Sequence, residues 1–231
     1  MEIYVTKISD ISKERIDKLC LFINPERKSK IERFINKEDK IRALVGEILI
    51  KTIMAETLGI KSKNIIFNKN EFGKPYLKNY EKFNFNISHS GEFTVCAIDD
   101  RSIGIDIEQI KQIEYKVIAE RFFSTCELKY INNTDLCNQL KKFYEIWTLK
   151  ESYIKCCGMG LSMPLNKFSI DLSSSEIIRV AENNNYKQHL FKLIDINSNY
   201  KMAVCSTNIN KLNNITVIEQ NSLINKYFKI A

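Results

Sequence analysis

The most informative part of this chain for its fold is the stretch FNFNISHSGEFTVCAIDDRSIGIDIE, residues 83–108. It contains three short runs in which apolar and polar residues alternate, separated by Gly91 and by the pair Asp99–Asp100. Successive side chains of a β-strand point to opposite faces, so each run predicts a strand with one buried face and one polar face. The rest of the chain is expected to be organised around these three strands.

The polar face of the third run carries two carboxylates, Asp106 and Glu108. They are two residues apart, so they point the same way from one strand. Like charges this close repel each other, and a shared cation relieves the repulsion. Mg²⁺ suits that role because it binds a few carboxylates and completes its octahedron with water and phosphate oxygens. An ordinary solvated strand face is the commoner origin of such a spacing, so both interpretations stay open here.

Composition excludes several classes of protein. The chain has 231 residues and is 44% hydrophobic, enough for one large domain or two small ones. No apolar run is long enough to span a membrane and the N-terminus lacks a signal-peptide pattern, so a cytoplasmic location is expected. Seven scattered cysteines without a C-x-x-C pair, and only two histidines, favour reduced thiols over a disulfide framework or a zinc site. The net charge of +7 favours acidic partners: nucleic acid, an acidic protein or a phosphorylated small molecule.

The N-terminal third contains a strongly basic helical pattern. It is predicted to begin at Pro25, to continue to Leu58 and to end at Gly59. The residues predicted to pack on the core are Ile31, Phe34, Ile35, Ile41, Leu44, Val45, Ile48 and Leu49. The basic residues mostly off that stripe are Arg27, Lys28, Lys30, Arg33, Lys37 and Lys40. They form either a solvated helix face or, with a second basic contributor, a surface that collects phosphates.

Two further segments could contact a phosphate. In the G-K-P-Y segment of residues 73–76, glycine supplies a turn and proline restrains the chain beside Lys74. The S-H-S-G segment of residues 88–91 is predicted to be the turn between the first two central strands. The Ser88 hydroxyl, the His89 imidazole and the backbone donors could cradle a phosphate there. An ordinary loop and an ordinary hairpin turn are the alternatives.

A second group of chemically informative residues lies in FYEIWTLKESYIK, residues 143–155. Trp147, Glu151 and Lys155 are spaced four apart and line one face of a predicted helix. They are either a surface Glu–Lys pair beside a half-buried Trp, or a third metal-side carboxylate and a phosphate ligand. The residues predicted to form the buried stripe of this helix are Leu136, Leu140, Phe143, Ile146 and Ile154.

The segments flanking this helix are assigned more simply. Ser124 and Glu127 have the spacing of a helix capping box, to which a role near the metal would be an addition. A first strand is predicted at residues 3–8 and a helix at residues 12–22. After the long helix, strand-like runs cover residues 168–172, 190–194, 202–206 and 215–218, and residues 222–231 are predicted to be a short helix or strand.

Several motifs together carry a family resemblance. GIDIE at 104–108 and WTLKESYIK at 147–155 resemble the two signature motifs of the 4'-phosphopantetheinyl transferases. FNISHSG, GKPY, RFFS, GMGLS and YKMAVC resemble flanking motifs of the surfactin-type (Sfp-type) branch, and the resemblance extends from Ile3 to about Ile218. It implies an α+β fold of two similar α/β subdomains related by a pseudo-twofold axis, residues 1–103 and 104–231. Each subdomain would be a small, mainly antiparallel sheet packed with a long helix.

The same resemblance implies an activity and a site. The enzyme would transfer the phosphopantetheine arm of coenzyme A to a serine of an apo carrier protein and release 3',5'-ADP. Mg²⁺, with Mn²⁺ as an alternative, would be held by Asp106, Glu108 and Glu151. Glu151 would be the base, with Lys155 and Glu127 as further catalytic candidates. The residues expected to bind coenzyme A and its phosphates are Arg27, Lys30, Lys74, Ser88, His89, Asp106 and Lys155. Ala43 stands where the branch often has Thr, so one hydroxyl contact to the nucleotide is expected to be missing.

Partners and rival functions follow from the same comparison. The stretch Gly158–His189, which begins with two glycines and exposed-looking Met159, Leu161 and Met163, is expected to dock acidic carrier proteins. A monomer is expected, because the family places the binding cleft between two halves of one chain. The rival classes are a Mg²⁺-dependent phosphoesterase, which uses water as nucleophile, and a non-enzymatic basic protein that binds nucleic acid.

Overall fold

The computed structural model describes residues 1–173, 178–182, 185–208 and 214–231, without the side chain of Leu161. The strands are β1 (Glu2–Lys7), β2 (Phe67–Lys69), β3 (Pro75–Leu77), β4 (Asn84–Ser90), β5 (Phe93–Asp99), β6 (Ile103–Gln109), β7 (Ser169–Asp171), β8 (Ile178–Glu182), β9 (Asn185–Ile194), β10 (Tyr200–Ser206) and β11 (Asn214–Val217). The helices are α1 (Lys13–Cys20), α2 (Pro25–Glu32), α3 (Lys37–Leu58), α4 (Tyr115–Phe122), α5 (Thr125–Asn132), α6 (Leu136–Cys157) and α7 (Gln220–Ile230).

Two larger sheets of different connectivity form the architecture, beside the two-stranded pair β2–β3. The first has the order β11-β1-β5-β4, in which only the β1–β11 pair is parallel. The second has the order β6-β10-β9-β8-β7 and is antiparallel throughout. The 22-residue helix α3 packs on the first sheet and the 22-residue helix α6 packs on the second. The mixed fold and the long helix on each sheet are therefore confirmed, whereas the pseudo-twofold relation between the halves stays a prediction.

The two sheets meet at β4 and β6, and they meet through side chains. The side-chain oxygens of Asn86, Ser88 and Ser90 accept hydrogen bonds from the backbone N–H groups of β6. The donors are Ile105 at 2.9 Å, Ile107 at 3.3 Å and Gln109 at 3.0 Å. Acceptors two residues apart lie on one face of β4, so they follow β6 in register. A junction made by side chains holds the two strands farther apart than a backbone ladder would.

A shared core stabilises this junction. Ile103, Ile105 and Ile107 are fully buried and pack with Ile3 and Val95 of the first sheet in one apolar cluster. The alternation predicted for the third run is therefore real, and its apolar face joins the two sheets. Each fully buried aliphatic side chain contributes about 1.5–3 kcal/mol by leaving water.

The long basic helix is the first correction. The chain forms two helices, because α2 ends at Glu32 and α3 begins at Lys37, where the Asn36 side chain accepts from the Glu38 N–H at 2.7 Å. Asn is a favoured N-cap because its short side chain satisfies a free backbone donor. Phe34 and Ile35, which were predicted to be buried, lie in the connection, and Ile35 is fully exposed.

Three smaller predictions are also corrected. Leu136 was assigned to the buried stripe but is 77% exposed, because it is the first residue of α6 and projects beyond the core, whereas Phe143, Ile146 and Ile154 are buried as predicted. Ser88 and His89 lie within β4, so the turn begins later, at Gly91, whose φ of 53° suits glycine. Strands β2, β3 and β8 were not predicted.

The other elements agree with the sequence pattern at their ends. Gly59 and Gly158 end α3 and α6 in the left-handed conformation. The C-terminal segment, for which helix and strand were both open, is the helix α7, and with β11 it returns to the first half of the chain. Within the described ranges, no helix combines the length and apolarity needed to cross a membrane.

Candidate functional site

Helix α6 lies directly on strand β6 because of one glycine. A Cβ atom added to Gly104 would lie 2.0 Å from the Ser152 carbonyl oxygen and 2.4 Å from the Cys156 nitrogen. No side chain fits there, so the helix backbone rests on the strand backbone. This close approach places the Trp147–Glu151–Lys155 face of the helix beside the carboxylates of β6. The residues of that face are half-buried, as their spacing predicts.

The centre of the site is a three-way contact between β4, β6 and α6. The Lys155 Nζ lies 2.5 Å from Asp106 Oδ1 and donates to Ser88 Oγ at 3.0 Å. The Ser88 hydroxyl donates to the same carboxylate oxygen at 2.9 Å. Asp106 and Ser88 are buried, so these bonds are shielded from water. Three predicted site residues, far apart in sequence, are thus brought together.

Glu108 and Glu151 add negative charge beside this contact. Burial, followed by the charge of Asp106, raises the pKa of Glu108 to about 7, although the Ser90 hydroxyl donates to its Oε2 at 2.9 Å. Burial and the charge of Asp106 also raise the pKa of Glu151. The positive charge of Lys155 opposes the rise in both pKa values. One ammonium group thus lies beside three carboxylates, those of Asp106, Glu108 and Glu151.

One atom of the cluster lacks the partner that a cation would supply. Asp106 Oδ2 is buried and has no hydrogen-bond partner in the described structure. An ionised carboxylate oxygen buried without a partner is costly, and a bound metal ion would satisfy it. Across the described residues, however, no three His, Cys, Asp or Glu side chains are already arranged to hold a metal ion. The donor set and the unpartnered oxygen suit a hard divalent cation, but the side chains are not preassembled as its cage.

The residues expected to bind the nucleotide are only partly brought together. Lys74 Nζ donates to the carbonyls of Ile103 at 3.0 Å and Cys156 at 3.2 Å, at the other end of β6 from Glu108, and burial lowers the pKa of Lys74. His89 is the exposed neighbour of Ser88 on β4. Lys74 therefore holds α6 against β6 through backbone carbonyls, while His89 is free to meet a ligand from solvent.

The two α2 residues of that set point towards solvent. Arg27 Nε lies 3.3 Å from Glu47 Oε2, and Lys30 Nζ donates to Glu26 Oε1 at 2.9 Å. Both basic side chains are more than two-fifths exposed, but Glu47 is buried whereas Glu26 is exposed, so the Lys30–Glu26 pair is the weaker one and exchanges more readily for a phosphate.

Glu127 lies in a different environment from the other carboxylates. The capping box with Ser124 is present, as predicted. Glu127 Oε1 also lies 2.9 Å from the Lys150 Nζ and accepts from the Ile170 N–H at 2.7 Å, and the side chains of Glu127 and Lys150 are both 0% exposed. The carboxylates whose charges bear on the pKa of Glu108 are Asp106 and Glu151, not Glu127. The structure thus places Glu127 in a buried ion pair rather than with the carboxylate cluster.

Sequence reasoning missed three contributors to the site. Asn86 and Ser90 hold β6, and Ser90 also binds Glu108. Their signal was present, because Asn86, Ser88 and Ser90 alternate with period two and so share one face of a strand. Arg42 of α3 was also missed; it donates to the Gly91 carbonyl at 2.6 Å and so supports the turn after Ser90.

Comparison with known proteins gives a consistent family. Residues 10–101 match the family model "4'-phosphopantetheinyl transferase, N-terminal", and residues 102–205 match the "4'-phosphopantetheinyl transferase superfamily". The chain is 36% identical over 214 residues to the 4'-phosphopantetheinyl transferase Sfp of Bacillus subtilis strain 168, covering 93% of this chain and 95% of that protein. It is also 36% identical over 209 residues to the 4'-phosphopantetheinyl transferase gsp of Aneurinibacillus migulanus, covering 88% of this chain and 84% of that protein.

More distant matches agree with this. The human L-aminoadipate-semialdehyde dehydrogenase-phosphopantetheinyl transferase is 36% identical over 165 residues, which are 65% of this chain and 53% of that protein. A solved holo-[acyl-carrier-protein] synthase of Thermotoga maritima is 18% identical with a TM-score of 0.38, over 45% of this chain and 61% of that one. That score is too low to support a shared fold. The two family models and the long matches at 36% identity establish that this chain belongs to the 4'-phosphopantetheinyl transferase family and is a transferase of its Sfp type.

Proposed function

We propose that this transferase moves the 4'-phosphopantetheine arm of coenzyme A to a serine hydroxyl of an apo acyl, peptidyl or aryl carrier protein. The products would be the holo carrier and 3',5'-ADP, and the reaction would depend on Mg²⁺. The observation that carries the proposal is the convergence of Asp106, Glu108 and Glu151 with Lys155 at the junction of β4, β6 and α6. Carboxylates that share one lysine suit a metal and a phosphate ester together.

Asp106, Glu108 and Glu151 would hold the metal, Mg²⁺ or alternatively Mn²⁺. The support is the buried, unpartnered Oδ2 of Asp106 and the mutual charge repulsion of the three carboxylates. When bound, such an ion supplies positive charge that neutralises the pyrophosphate and its leaving group. Burial and the charge of Asp106 raise the pKa values of Glu108 and Glu151, and a bound cation would oppose that rise because positive charge favours the ionised carboxylate.

The basic residues around this centre would bind coenzyme A. Lys155 and Ser88 already donate to Asp106, so their donor groups lie where a phosphate oxygen could replace the carboxylate. His89 is exposed beside them. Arg27 and Lys30 would exchange their glutamate partners, the buried Glu47 and the exposed Glu26, for phosphate oxygens. Lys74 would bind coenzyme A from the end of β6 that lies opposite Glu108.

Glu151 would act as the base. The serine oxygen of the carrier attacks the phosphorus that bears the pantetheine arm, the P–O bond to the adenosine-side phosphate breaks, and the serine proton passes to Glu151. A carboxylate with a raised pKa is a better proton acceptor than an ordinary one. For Glu127 we propose a structural role, because its oxygens are already occupied by Lys150 and by two backbone N–H groups.

The carrier protein would dock on the stretch Gly158–His189. Residues 174–177 and 183–184 of that stretch, and the Leu161 side chain, lie outside the described structure, so Met159 and Met163 carry the argument. Both methionines are partly exposed, and Met163 packs against the core beneath α6. The net charge of +7 would steer an acidic carrier towards the enzyme. We further propose a monomeric, cytoplasmic enzyme with subdomains 1–103 and 104–231, in which β11 and α7 of the second subdomain return to pack on the first.

One assay tests this proposal against its nearest rival. The protein is incubated with coenzyme A, Mg²⁺ and an apo carrier protein, and the carrier is measured by intact mass. A mass increase equal to the phosphopantetheine arm, with 3',5'-ADP in the supernatant, supports transfer. Cleavage of coenzyme A at the same rate with and without carrier, and no mass increase, would instead identify a phosphoesterase.

A further inference from the structure

Cys156 and Cys205 lie together between the last turn of α6 and strand β10. They belong to one cluster of buried residues and are 1% and 0% exposed. The register of β6 and β10 sets Cys205 directly opposite Gly104, so the Cys205 side chain and the empty Cβ position of Gly104 share one face of the sheet. That empty position lies 3.0 Å from the Cys156 Cα. The missing side chain at Gly104 is what lets the two cysteines approach.

The direction of the Cys156 thiol agrees with a close approach of the two cysteines. Cβ atoms of directly opposite residues lie about 4.5–5.5 Å apart, and the Cα atoms of a disulfide about 4.4–6.8 Å apart. Cys156 Sγ donates to the Ser102 carbonyl at 3.4 Å, two residues before Gly104, so the thiol lies along this same face of β6. Cys156 and Cys205 therefore both lie next to the empty Cβ position of Gly104, on the same face of the sheet.

We propose that Cys156 and Cys205 form a peroxide-sensitive dithiol whose oxidation to a disulfide lowers the activity of the transferase. The inference does not depend on the metal, the carrier protein or the nucleotide contacts proposed above. It assigns a covalent modification site to residues outside the catalytic cluster.

A small oxidant can reach Cys156, the cysteine of the pair that lines a cavity. A cavity of about 210 Å³ is lined by Lys74, Ser102, Cys156 and Cys157, among others. Hydrogen peroxide has two heavy atoms, and one water molecule takes about 30 Å³ of liquid volume, so the cavity has room for it. Larger oxidants such as a glutathione disulfide would not fit beside the buried thiols.

The electrostatics distinguish the two sulfurs. A hydrogen bond from the Cys205 thiol lowers the pKa of Cys156, with further contributions from His189 and Lys74. Burial raises the pKa of Cys205, and burial also raises the pKa of the neighbouring Cys157 to about 11. Cys156 is therefore the thiolate that reacts first, and Cys205 is the thiol that resolves the intermediate.

The reaction is balanced with peroxide alone. The Cys156 thiolate attacks one oxygen of hydrogen peroxide, the O–O bond breaks, and the released hydroxide takes a proton to give water and a Cys156 sulfenic acid. The Cys205 sulfur then attacks the Cys156 sulfur, its proton joins the departing hydroxide, and a second water leaves. Two thiols are oxidised to one disulfide, and one peroxide is reduced to two waters.

The disulfide would disturb the catalytic helix. The Cys156 carbonyl accepts from the Ser102 hydroxyl at 2.5 Å and from Lys74 Nζ at 3.2 Å, and the preceding residue is Lys155. Drawing the sulfurs to the S–S bond length of about 2.05 Å pulls the last turn of α6 towards β10. Lys155, held 2.5 Å from Asp106, would move with that turn. Oxidation is expected to lower the rate of transfer several-fold.

Peptide mapping tests the covalent step. The protein is treated with a small excess of hydrogen peroxide, alkylated, and digested with trypsin without reduction. Cleavage after Lys155, Lys167, Lys201 and Lys211 places Cys156 in peptide 156–167 and Cys205 in peptide 202–211. We expect these two peptides to be linked with the loss of two hydrogens, and fragment ions to assign the link to Cys156 rather than Cys157. Oxidation of exposed Cys126 and Cys137 without that link would overturn the proposal.

Activity measurements test the consequence. Peroxide should lower the transfer rate of the wild type, and dithiothreitol should restore it. Cys205→Ala should resist this reversible loss, whereas the matched variant Cys137→Ala, which lacks an exposed cysteine, should behave like the wild type. If Cys205→Ala does not fold, the peptide map of the wild type still decides the covalent step. Equal peroxide sensitivity of Cys205→Ala and wild type, or a linked wild type with full activity, would refute the coupling to catalysis.

Discussion

Replacing Glu127 with Gln is expected to destabilise the fold while leaving the chemistry intact. Glu127 and Lys150 are fully buried, and Lys150 Nζ also donates to the carbonyls of Leu165 at 2.9 Å and Phe168 at 2.7 Å. Gln keeps an acceptor oxygen for a backbone N–H but removes the only charge opposite the ammonium in this described network. Breaking one side of a buried ion pair costs about 3–5 kcal/mol, and we expect Glu127→Gln to lower the free energy of unfolding by that amount.

A double-mutant cycle separates the pair from its surroundings. Lys150→Met removes the ammonium and leaves two buried carbonyls without a donor, at a cost of about 1–3 kcal/mol each. The double variant Glu127→Gln/Lys150→Met has no uncompensated charge, so its loss should be smaller than the sum of the single losses by about 1–3 kcal/mol. Urea unfolding followed by circular dichroism gives all four free energies, and transfer is assayed at a temperature where every variant is folded.

The pH dependence of the same variants provides a second readout. Burial lowers the pKa of Lys150, and the charge of Glu127 opposes that shift. Between the folded and unfolded pKa values the unfolded chain binds more protons, so the contribution of Lys150 to the free energy of unfolding rises with pH. Glu127→Gln removes the opposing charge and should make this rise steeper. A large loss of turnover in Glu127→Gln, with unchanged unfolding free energy at every pH, would show that Glu127 acts in catalysis and refute this reasoning.

Three other predictions concern the ligands. Lys74→Ala and His89→Ala should each weaken coenzyme A binding by roughly 1.5–3 kcal/mol in calorimetry, since each loses a charge-assisted hydrogen bond; unchanged affinity in both would contradict the nucleotide assignment. Asp106→Ala should abolish transfer, and EDTA should stop the wild type until excess Mg²⁺ is added; full wild-type turnover in metal-free buffer would rule out the shared cation. Added salt and Met159→Asp should both raise the KM for carrier protein without changing coenzyme A affinity, whereas Val217→Asp, at an exposed apolar position on the other sheet, should not. Equal KM values for the two Asp variants would place the docking surface elsewhere.

Local patterns predicted most of the elements. Alternation located β4, β5 and β6 within a residue or two, and the helical repeat located α6 together with the face that carries Glu151 and Lys155. These patterns predict elements because the residues on the buried side of a helix or strand recur at a fixed spacing along the chain. They also led correctly to the family, since GIDIE and WTLKESYIK are contiguous motifs.

The wrong predictions concern residues whose local sequence pattern fits two different structural environments. Phe34 and Ile35 fit the helical repeat of their neighbours, yet Asn36 begins a new helix there and leaves Ile35 in solvent. Leu136 fits the stripe of α6 but lies in its first turn, beyond the core. Ser88 and His89 resembled a turn and belong to a strand. Each side chain had the right chemistry for either environment, so the boundary was set by neighbours distant in sequence.

The residue pattern alone was sufficient to predict most of the strands, most of both long helices, the residue types of the site and the family. The contacts between those residues were visible in the tertiary structure alone. Ser88 and Lys155 both bind one oxygen of Asp106, Glu127 pairs with Lys150, and Cys156 is buried in the same cluster as Cys205. Periodicity specifies one face of one element, whereas a contact between elements depends on register and on how closely two backbones can approach. Helix α6 and strand β6 can approach closely at Gly104 because glycine has no side chain. The periodicity of the sequence does not reveal this close approach.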